Sequence, residues 1–316
     1  MAIDPGLKTA YRDWTRAPER GSPRLLALIA RLGRWLPRGW VTLLLYPIVA
    51  YFVACSPRQR VASRQFLTRA MARTPRWSEV FGHYLTFARM VLDRVYWLSR
   101  ERPGIPLRVA GAEPIEAMLA GRRRGLIILG AHFGSFEALR GVGGRVCGRR
   151  IRPLMYVANA RKVQAVLDAL NPDLARDVIL AGRPGTMLAI RAAIEDGDIV
   201  GILADRSPFA ERSVAVPFLG EPAPFPVGAH RLGAVLKVET VFACAVLDGS
   251  GYSIHFEPLP APVAGQGSDR DDFVAAQAAA FAHVLEKHAR AYPLNWFNFY
   301  DFWHGQPATT PAEDAQ

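Results

Sequence analysis

Between residues 107 and 259, short apolar runs alternate with stretches of helical periodicity, and this alternation restricts the fold more than any other feature. Five apolar runs of strand length predict strands at 126–131, 153–158, 177–181, 198–204 and 240–247, and 252–259 is a further candidate. Stretches with helical spacing lie between them, at 136–142, 160–170, 185–196 and 227–237. Such alternation is typical of parallel sheets. We therefore predict an α/β fold, a mostly parallel central sheet flanked by helices.

The chain is strongly basic, with a formal net charge of +11 over 316 residues. Such a charge suits an anionic membrane surface, a phosphate-bearing substrate or nucleic acid. No helix-turn-helix, RNA-binding or zinc-finger pattern is present, so we predict no nucleic-acid partner. The three cysteines are widely spaced and form no CxxC pair, which argues against a disulfide framework or a zinc site.

The first 70 residues carry the features of a membrane-association region. Residues 24–36, RLLALIARLGRWL, predict a basic amphipathic helix, which could also be a surface helix packed on the domain. Residues 39–55 follow without a charge, but the run is as short as a spanning helix can be and contains Pro47. An arginine-rich segment, 56–69, comes next. We predict attachment to an anionic membrane surface, as a monotopic or re-entrant anchor rather than a full span.

We assign residues 71–305 to one domain and predict a disordered tail at 306–316. The domain begins with an aromatic-rich helix over 77–98 and ends with an alanine-rich helix over 271–292. His83, among aromatic residues of the first helix, and His230, inside another helix, are interpreted as structural histidines.

The segment LIILGAHFGSFEALR, residues 126–140, contains the candidate catalytic residues His132 and Glu137. Ser135 is a good N-cap for a helix that begins at Phe136. His132 then lies at the carboxyl end of a strand, where open α/β sheets place their sites, and Glu137 lies in the first helical turn. A carboxylate bonded to one imidazole nitrogen fixes the tautomer, so the other nitrogen can take a proton from a hydroxyl.

The residues alone leave several mechanisms open. The motif offers no serine or cysteine nucleophile, since Ser135 is better explained as a cap, so direct attack by a substrate hydroxyl is the simplest mechanism. One alternative is a metal-dependent hydrolase that uses His132, Glu137 and a distant histidine, although the spacing matches no common zinc motif. Another is an inactive peripheral membrane scaffold.

Pro226 and Gly228 precede a helix. They could expose backbone N–H groups to a phosphate or thioester oxygen, or form a plain junction between a loop and the helix.

The motif HFGSFE resembles the HxxxxD/E motif of the lysophospholipid acyltransferase superfamily. The likeness is greatest to the bacterial lipid A lauroyl/myristoyl acyltransferases, and it continues in 185–208 and 216–233. The resemblance implies a glycerol-3-phosphate acyltransferase-like fold at the cytoplasmic face of a bacterial inner membrane. It implies transfer of an acyl group from an acyl carrier protein or coenzyme A thioester to a hydroxyl of a membrane lipid, without a cofactor or metal.

The resemblance also implies roles for single residues. His132 matches the general base and Glu137 its acidic partner. We assign the other matched positions to substrate binding, or to structure in the case of the ADR motif; they are Phe133, Gly134, Ser135, Asn159, Arg161, Asp205, Arg206, Pro226 and Gly228.

One departure leaves the acceptor open. Val157 stands where the lipid A enzymes usually have an arginine, and either Arg161 or Arg152 could supply that charge. The acceptor could therefore be lipid A, a lysophospholipid, an ornithine lipid or an aryl-polyene lipid. The segments GAHFGSFEALR and YRDWTRAPERGS resemble acyltransferases encoded beside aryl-polyene pigment genes.

Overall fold

The backbone is organised around one seven-stranded sheet. A computed structural model describes residues 38–98, 104–146, 148–156, 176–207, 212–261 and 270–304. The strands of the sheet are β1 Leu107–Ala110, β2 Ile127–Gly130, β3 Ile151–Tyr156, β4 Ile179–Ala181, β5 Ile199–Leu203, β8 Thr240–Asp248 and β9 Gly251–Pro258. Their order across the sheet is β1-β9-β8-β2-β5-β3-β4. Within it, β8 and β9 pair antiparallel and the other neighbours pair parallel. The predicted α/β class and mostly parallel sheet are confirmed.

Eight helices lie in the described part of the chain. They are α1 Arg38–Cys55, α2 Pro57–Met71, α3 Trp77–Leu98, α4 Ala112–Leu119, α5 Phe136–Val146, α6 Thr186–Glu195, α7 Gly228–Leu236 and α8 Arg270–Ala291. A short 3₁₀ turn, Pro293–Asn295, follows α8. The predicted helices at 24–36 and 160–170, and the tail 306–316, lie outside the described residues.

Strands β2, β5 and β8 form the centre of the sheet. All four residues of β2 are buried, as are most of β5 and β8, because helices cover both faces of these strands. Since β2 and β5 are parallel neighbours, with Gly130 opposite Leu203, the segments that follow them leave the sheet side by side. This register determines which residues can meet at the carboxyl edge.

A separate two-stranded ribbon, β6 Ser213–Phe218 and β7 Glu221–Pro226, was not predicted from the sequence. Its strands contain four prolines, at 217, 222, 224 and 226, which argue against a central strand but are tolerated in a ribbon with two free edges. Phe218 packs edge-on against Trp296, with 5.1 Å between the ring centroids, and thereby links the ribbon to the core.

Helix α1 packs on the domain along one narrow stripe. Val41, Leu45 and Val49, four residues apart, are buried, and the first two contact Leu92 of α3. At the start of α1, Arg38 forms a two-pronged ion pair with the buried Asp93, at 2.6 and 2.5 Å. Phe52 and Val53 are partly buried against the main core. The exposed surface of the helix is apolar and includes Trp40, Leu43, Leu44, Tyr46 and Tyr51. By length and composition alone, α1 could cross a membrane.

Helix α2 packs into the domain core. Phe66 and Leu67 are fully buried, and Phe66 lies edge-on to Trp296. Ser63 is hydrogen-bonded through its Oγ to Nδ1 of His83, at 2.8 Å, and the other ring nitrogen of His83 lies 2.8 Å from the carbonyl of Trp296. His83 is therefore a satisfied core histidine, as predicted. The division of the chain at residue 70 remains a prediction about function.

Candidate active site

His132 lies just beyond the carboxyl end of β2, in a tight turn that leads into α5. Gly134 has a φ of +76°, and a Cβ at this position would lie 2.1 Å from the carbonyl oxygen of Ala245, so only glycine fits. The N–H of Gly134 donates to the carbonyl of Asn295, and that of Ser135 donates to the carbonyl of Ala245. The turn is thus bonded both to the central strand β8 and to the C-terminal segment.

Ser135 caps helix α5, as the sequence predicts. Its Oγ accepts a hydrogen bond from the N–H of Ala138, at 3.1 Å, which satisfies one of the free donors of the first turn. Phe133 is buried and forms a β-bridge with Trp296. Phe133, Gly134 and Ser135 therefore build the turn, and their contact with substrate remains a prediction.

Asp205 is the carboxylate that contacts His132. It follows β5 and is 1% exposed, and its Oδ1 lies 2.8 Å from Nδ1 of His132. The same oxygen accepts the backbone N–H of His132, at 3.1 Å. Because β2 and β5 are parallel neighbours, Asp205 and His132 leave the sheet together, although they are 73 residues apart in the sequence.

Arg206 competes with Asp205 for the same ring nitrogen. Its Nε lies 3.0 Å from Nδ1 of His132. Nδ1 cannot both donate to Asp205 and accept from Arg206, and the ionised carboxylate is the stronger partner for a proton on that atom. We therefore assign the proton to Nδ1, which leaves a lone pair on Nε2. The imidazole is 34% exposed, so this lone pair can be reached from outside the protein.

The electrostatics favour the neutral imidazole. Burial lowers the pKa of His132, the Arg206 guanidinium lowers it further, and the Asp205 carboxylate opposes both. Burial alone would raise the pKa of Asp205, but His132 and Arg206 together hold that pKa at about 2. At neutral pH the site therefore contains an uncharged base next to an ionised acid, which is the state a general base requires.

Glu137 makes its described contact with helix α3. Its Oε1 forms an ion pair with Nε of Arg94, from α3, at 2.6 Å. No contact among those described joins Glu137 to His132, whose Nδ1 is bound to Asp205, so the role of Glu137 as the acidic partner of His132 stays a prediction. The pattern HxxxxE gives the spacing of His132 and Glu137, but it does not show that His132 binds Asp205 and that Glu137 binds Arg94.

The C-terminal segment after α8 supplies contacts that sequence reasoning missed. The indole Nε1 of Trp296 donates to Oδ2 of Asp205, at 3.2 Å. The N–H of Phe297 donates to the carbonyl of His132, at 2.9 Å. The ring of Tyr300 lies under the Arg206 guanidinium, 5.4 Å from its carbon, and burial raises the pKa of Tyr300 to about 12. The aromatic run WFNFYDFW was the available signal, but it names no partner.

The remaining predicted residues lie elsewhere or outside the description. Asn159 and Arg161, like Val157, are outside the described residues. Arg152 lies near the start of β3, where its Nε donates to the carbonyl of Asp177 and its guanidinium approaches Asp198, so it is at the edge of the sheet opposite His132. No contact among those described joins His132 to Pro226 or Gly228. Pro226 is buried at the end of β7, and Gly228 is the first residue of α7.

Metal ligation was an open alternative. In the stretches of chain with described coordinates, no group of three or more histidine, cysteine or acidic side chains is arranged to hold a metal ion. The distant histidine required by the metal-hydrolase alternative is thus not found beside His132 in this part of the chain.

A comparison with known protein families gives a match over most of the chain. The family described as bacterial lipid A biosynthesis acyltransferase matches residues 83–304, more than two thirds of the chain. The match includes His132, Glu137, Asp205 and Trp296. No curated protein matches the chain.

Proposed function

The chain belongs to the bacterial lipid A biosynthesis acyltransferase family, and from this premise we propose that it moves a fatty acyl group from a thioester to a hydroxyl of a membrane lipid, with His132 as the general base. The family implies the acyltransferase activity, a lipid acceptor and an acyl thioester donor. The observation that carries the proposal for this chain is the bond between Nδ1 of His132 and Asp205, which leaves Nε2 as a free base.

The reaction needs one proton to move twice. Nε2 of His132 takes the proton from the acceptor hydroxyl as its oxygen attacks the thioester carbonyl carbon. The tetrahedral intermediate then collapses, the carbon–sulfur bond breaks, and the leaving thiolate takes the proton back from Nε2. Asp205 stabilises the imidazolium that exists between these two steps, as the acid of a catalytic triad does.

Glu137 has a different role in this proposal from the one that its spacing suggests. We assign the orienting role to Asp205, and to Glu137 the placement of Arg94 beside helix α5 through their ion pair. A guanidinium at that point would be available to an anionic group of the donor or acceptor, because Arg94 keeps more than a third of its side chain exposed.

Membrane attachment is part of the proposal. The exposed apolar surface of α1 is suited to binding a bilayer. Because α1 packs on α3 through its buried stripe, we favour a helix that lies on the membrane over one that crosses it. The family is typically membrane-associated, and we propose the cytoplasmic face of the inner membrane. An enzyme on the leaflet avoids exposing the acyl chain, at about 0.8 kcal/mol for each CH₂ in water.

The test is acyl transfer by the purified chain in lipid vesicles. Donors are acyl carrier protein and coenzyme A thioesters with a labelled acyl group, and acceptors are a lipid A precursor, a lysophospholipid, an ornithine lipid and an aryl-polyene lipid. We expect a labelled ester on one acceptor class and a loss of about 10²–10⁴-fold in His132→Ala. His304→Ala, which changes an exposed histidine paired with Asp301, is the matched control and should keep full activity.

Lipid mass spectrometry of a deletion strain, compared with the complemented strain, would identify the acceptor in the cell. The missing lipid should return with the wild-type gene and not with His132→Ala. Complementation by His132→Ala would favour the membrane-scaffold alternative and refute the proposed catalysis.

A further inference from the structure

We infer that Trp296 is a positioning residue that acts on His132 through Asp205, an inference that rests on the proposed function. Asp205 has two carboxylate oxygens with separate partners. Oδ1 receives both the N–H of His132 and the ring Nδ1, whereas Oδ2 receives the indole N–H of Trp296. The carboxylate is therefore bound on both sides by groups that cannot exchange places.

The second bond matters because a carboxylate rotates about its Cβ–Cγ bond. With Oδ2 held by the indole, Oδ1 has to face His132, in the plane that suits a donor on Nδ1. Without that bond, only His132 holds the carboxylate, its plane can tilt about the Cβ–Cγ bond, and Arg206 competes better for Nδ1, where it favours the proton on Nε2. A ring with its proton on Nε2 cannot act as the base at that nitrogen.

Trp296 can do this because it is itself fixed. It is 1% exposed, and its ring packs edge-on against Phe66, Phe218 and Phe302, with centroids 4.9, 5.1 and 4.8 Å away. The next residue in the chain bonds to the carbonyl of His132, so the indole and the catalytic turn are joined by the shortest possible stretch of backbone. Asn295, on the other side, bonds to both backbone groups of Leu247 in the central strand β8.

The indole N–H also draws negative charge towards Oδ2. Its loss leaves more charge on the carboxylate near the imidazole, which stabilises the imidazolium and raises the pKa of His132. The backbone N–H of His132 continues to hold Oδ1 nearby, so this electrostatic effect survives the loosening of the geometry.

The experiment compares two identical substitutions in one segment. Trp296→Phe keeps the aromatic packing and removes the donor to Asp205. Trp303→Phe removes an equivalent buried indole bond, at 3.3 Å, but that bond goes to the carbonyl of Phe218. Both variants should lose similar thermal stability, so a merely structural role of Trp296 would make their kinetics alike.

We expect Trp296→Phe to lower kcat about tenfold with little change in KM, in line with the loss of one hydrogen bond. The acid limb of its pH–rate profile should move to higher pH, and Trp303→Phe should retain both the rate and the profile of the wild type. An unchanged profile in Trp296→Phe, or equal changes in both variants, would overturn the inference.

A second measurement needs neither activity nor a folded variant. In ¹⁵N-labelled wild-type protein, the indole N–H resonance of Trp296 should titrate with the same pKa as the ring of His132, because both bind one carboxylate. A flat indole signal across the titration of His132 would overturn the inference. If the wild type transfers no acyl group to any acceptor, the proposed function fails, and this titration still decides whether Trp296 is coupled to His132.

Discussion

The proton on Nδ1 of His132 decides which atom of the ring can act as a base, and Asp205 decides where that proton is. Asp205→Asn replaces the carboxylate with an amide of the same shape, which can donate to Nδ1 and so favours the proton on Nε2. We expect kcat to fall by about 10²–10⁴-fold, with the fold retained. Steady-state kinetics and the thermal unfolding midpoint of the variant are the measurements.

Glu137→Gln is the comparison for this prediction, because it removes the acid of the HxxxxE motif. It breaks the ion pair with Arg94 but leaves the contact between Asp205 and His132, so we expect a smaller loss of kcat. A Glu137→Gln variant as inactive as Asp205→Asn would show that Glu137 orients the base after all. The sequence predicted Glu137 as the acid beside His132 and assigned Asp205 to substrate binding or structure, because the contact of Asp205 with His132 depends on which strand lies beside β2.

At the scale of the element, the turn between β2 and α5 depends on one glycine. Gly134→Ala places a Cβ 2.1 Å from the carbonyl oxygen of Ala245, at a φ of +76°. Gly148→Ala is the matched control, since Gly148 has a φ of +59° but open space around it. We expect the control to lose about 1–2 kcal/mol of unfolding free energy from backbone strain alone, and Gly134→Ala to lose clearly more. Urea denaturation measures both, and equal losses would contradict the close packing of this turn against β8.

Helix α1 is the element whose surface predicts contact with lipid. Leu43 and Leu44 are 60% and 46% exposed on its free side. The double variant Leu43→Asn/Leu44→Asn should bind vesicles of anionic phospholipid at least about tenfold more weakly, because each leucine contributes about 1.5–3 kcal/mol when it leaves water. Its thermal stability should change little, since neither side chain packs in the core.

The control for α1 is an exposed leucine on another helix. Leu188 of α6 is 72% exposed, and Leu188→Asn should sediment with vesicles as the wild type does. If the α1 double variant binds vesicles as strongly as the wild type does, α1 is not the membrane-binding element.

The elements that could be predicted from the sequence are those with a local pattern. The strands 126–131 and 198–204 are continuous apolar runs, and α3 has the predicted bounds, 77–98. The β6–β7 ribbon was missed because its prolines argue against strands. The segment after α8 was missed for another reason: nothing local in NWFNFYDFW shows that Trp296 lies beside an aspartate 91 residues earlier.

At the scale of the whole molecule, two buried histidines make stability depend on pH. Burial lowers the pKa of His83 and of His230 to about 4 each, whereas an unfolded histidine titrates near 6.5. Between these values the unfolded chain binds more protons than the native protein. Stability is therefore fully present above pH 6.5 and is lost as the pH falls towards 4, by up to about 3 kcal/mol for each histidine.

His230→Leu tests this dependence. His230 is fully buried beside Phe281, and the side chain of Gln277 lies close enough to oppose the lowering of its pKa, so leucine removes the titrating ring and this one polar contact. We expect the variant to lose less stability than the wild type between pH 6.5 and 4, measured by thermal unfolding at a series of pH values. An unchanged slope would show that His230 does not contribute.

The bonds from residues 296 and 297 to the catalytic turn have a consequence for synthesis of the protein. The ribosome makes Trp296 91 residues after Asp205, when every strand of the sheet has already been translated. A nascent chain can thus pair its strands, and bring Asp205 to His132, before Trp296 is available to bind the second carboxylate oxygen. Until residues 296 and 297 have been made, Oδ2 of Asp205 lacks its indole donor and the carbonyl of His132 lacks its backbone donor.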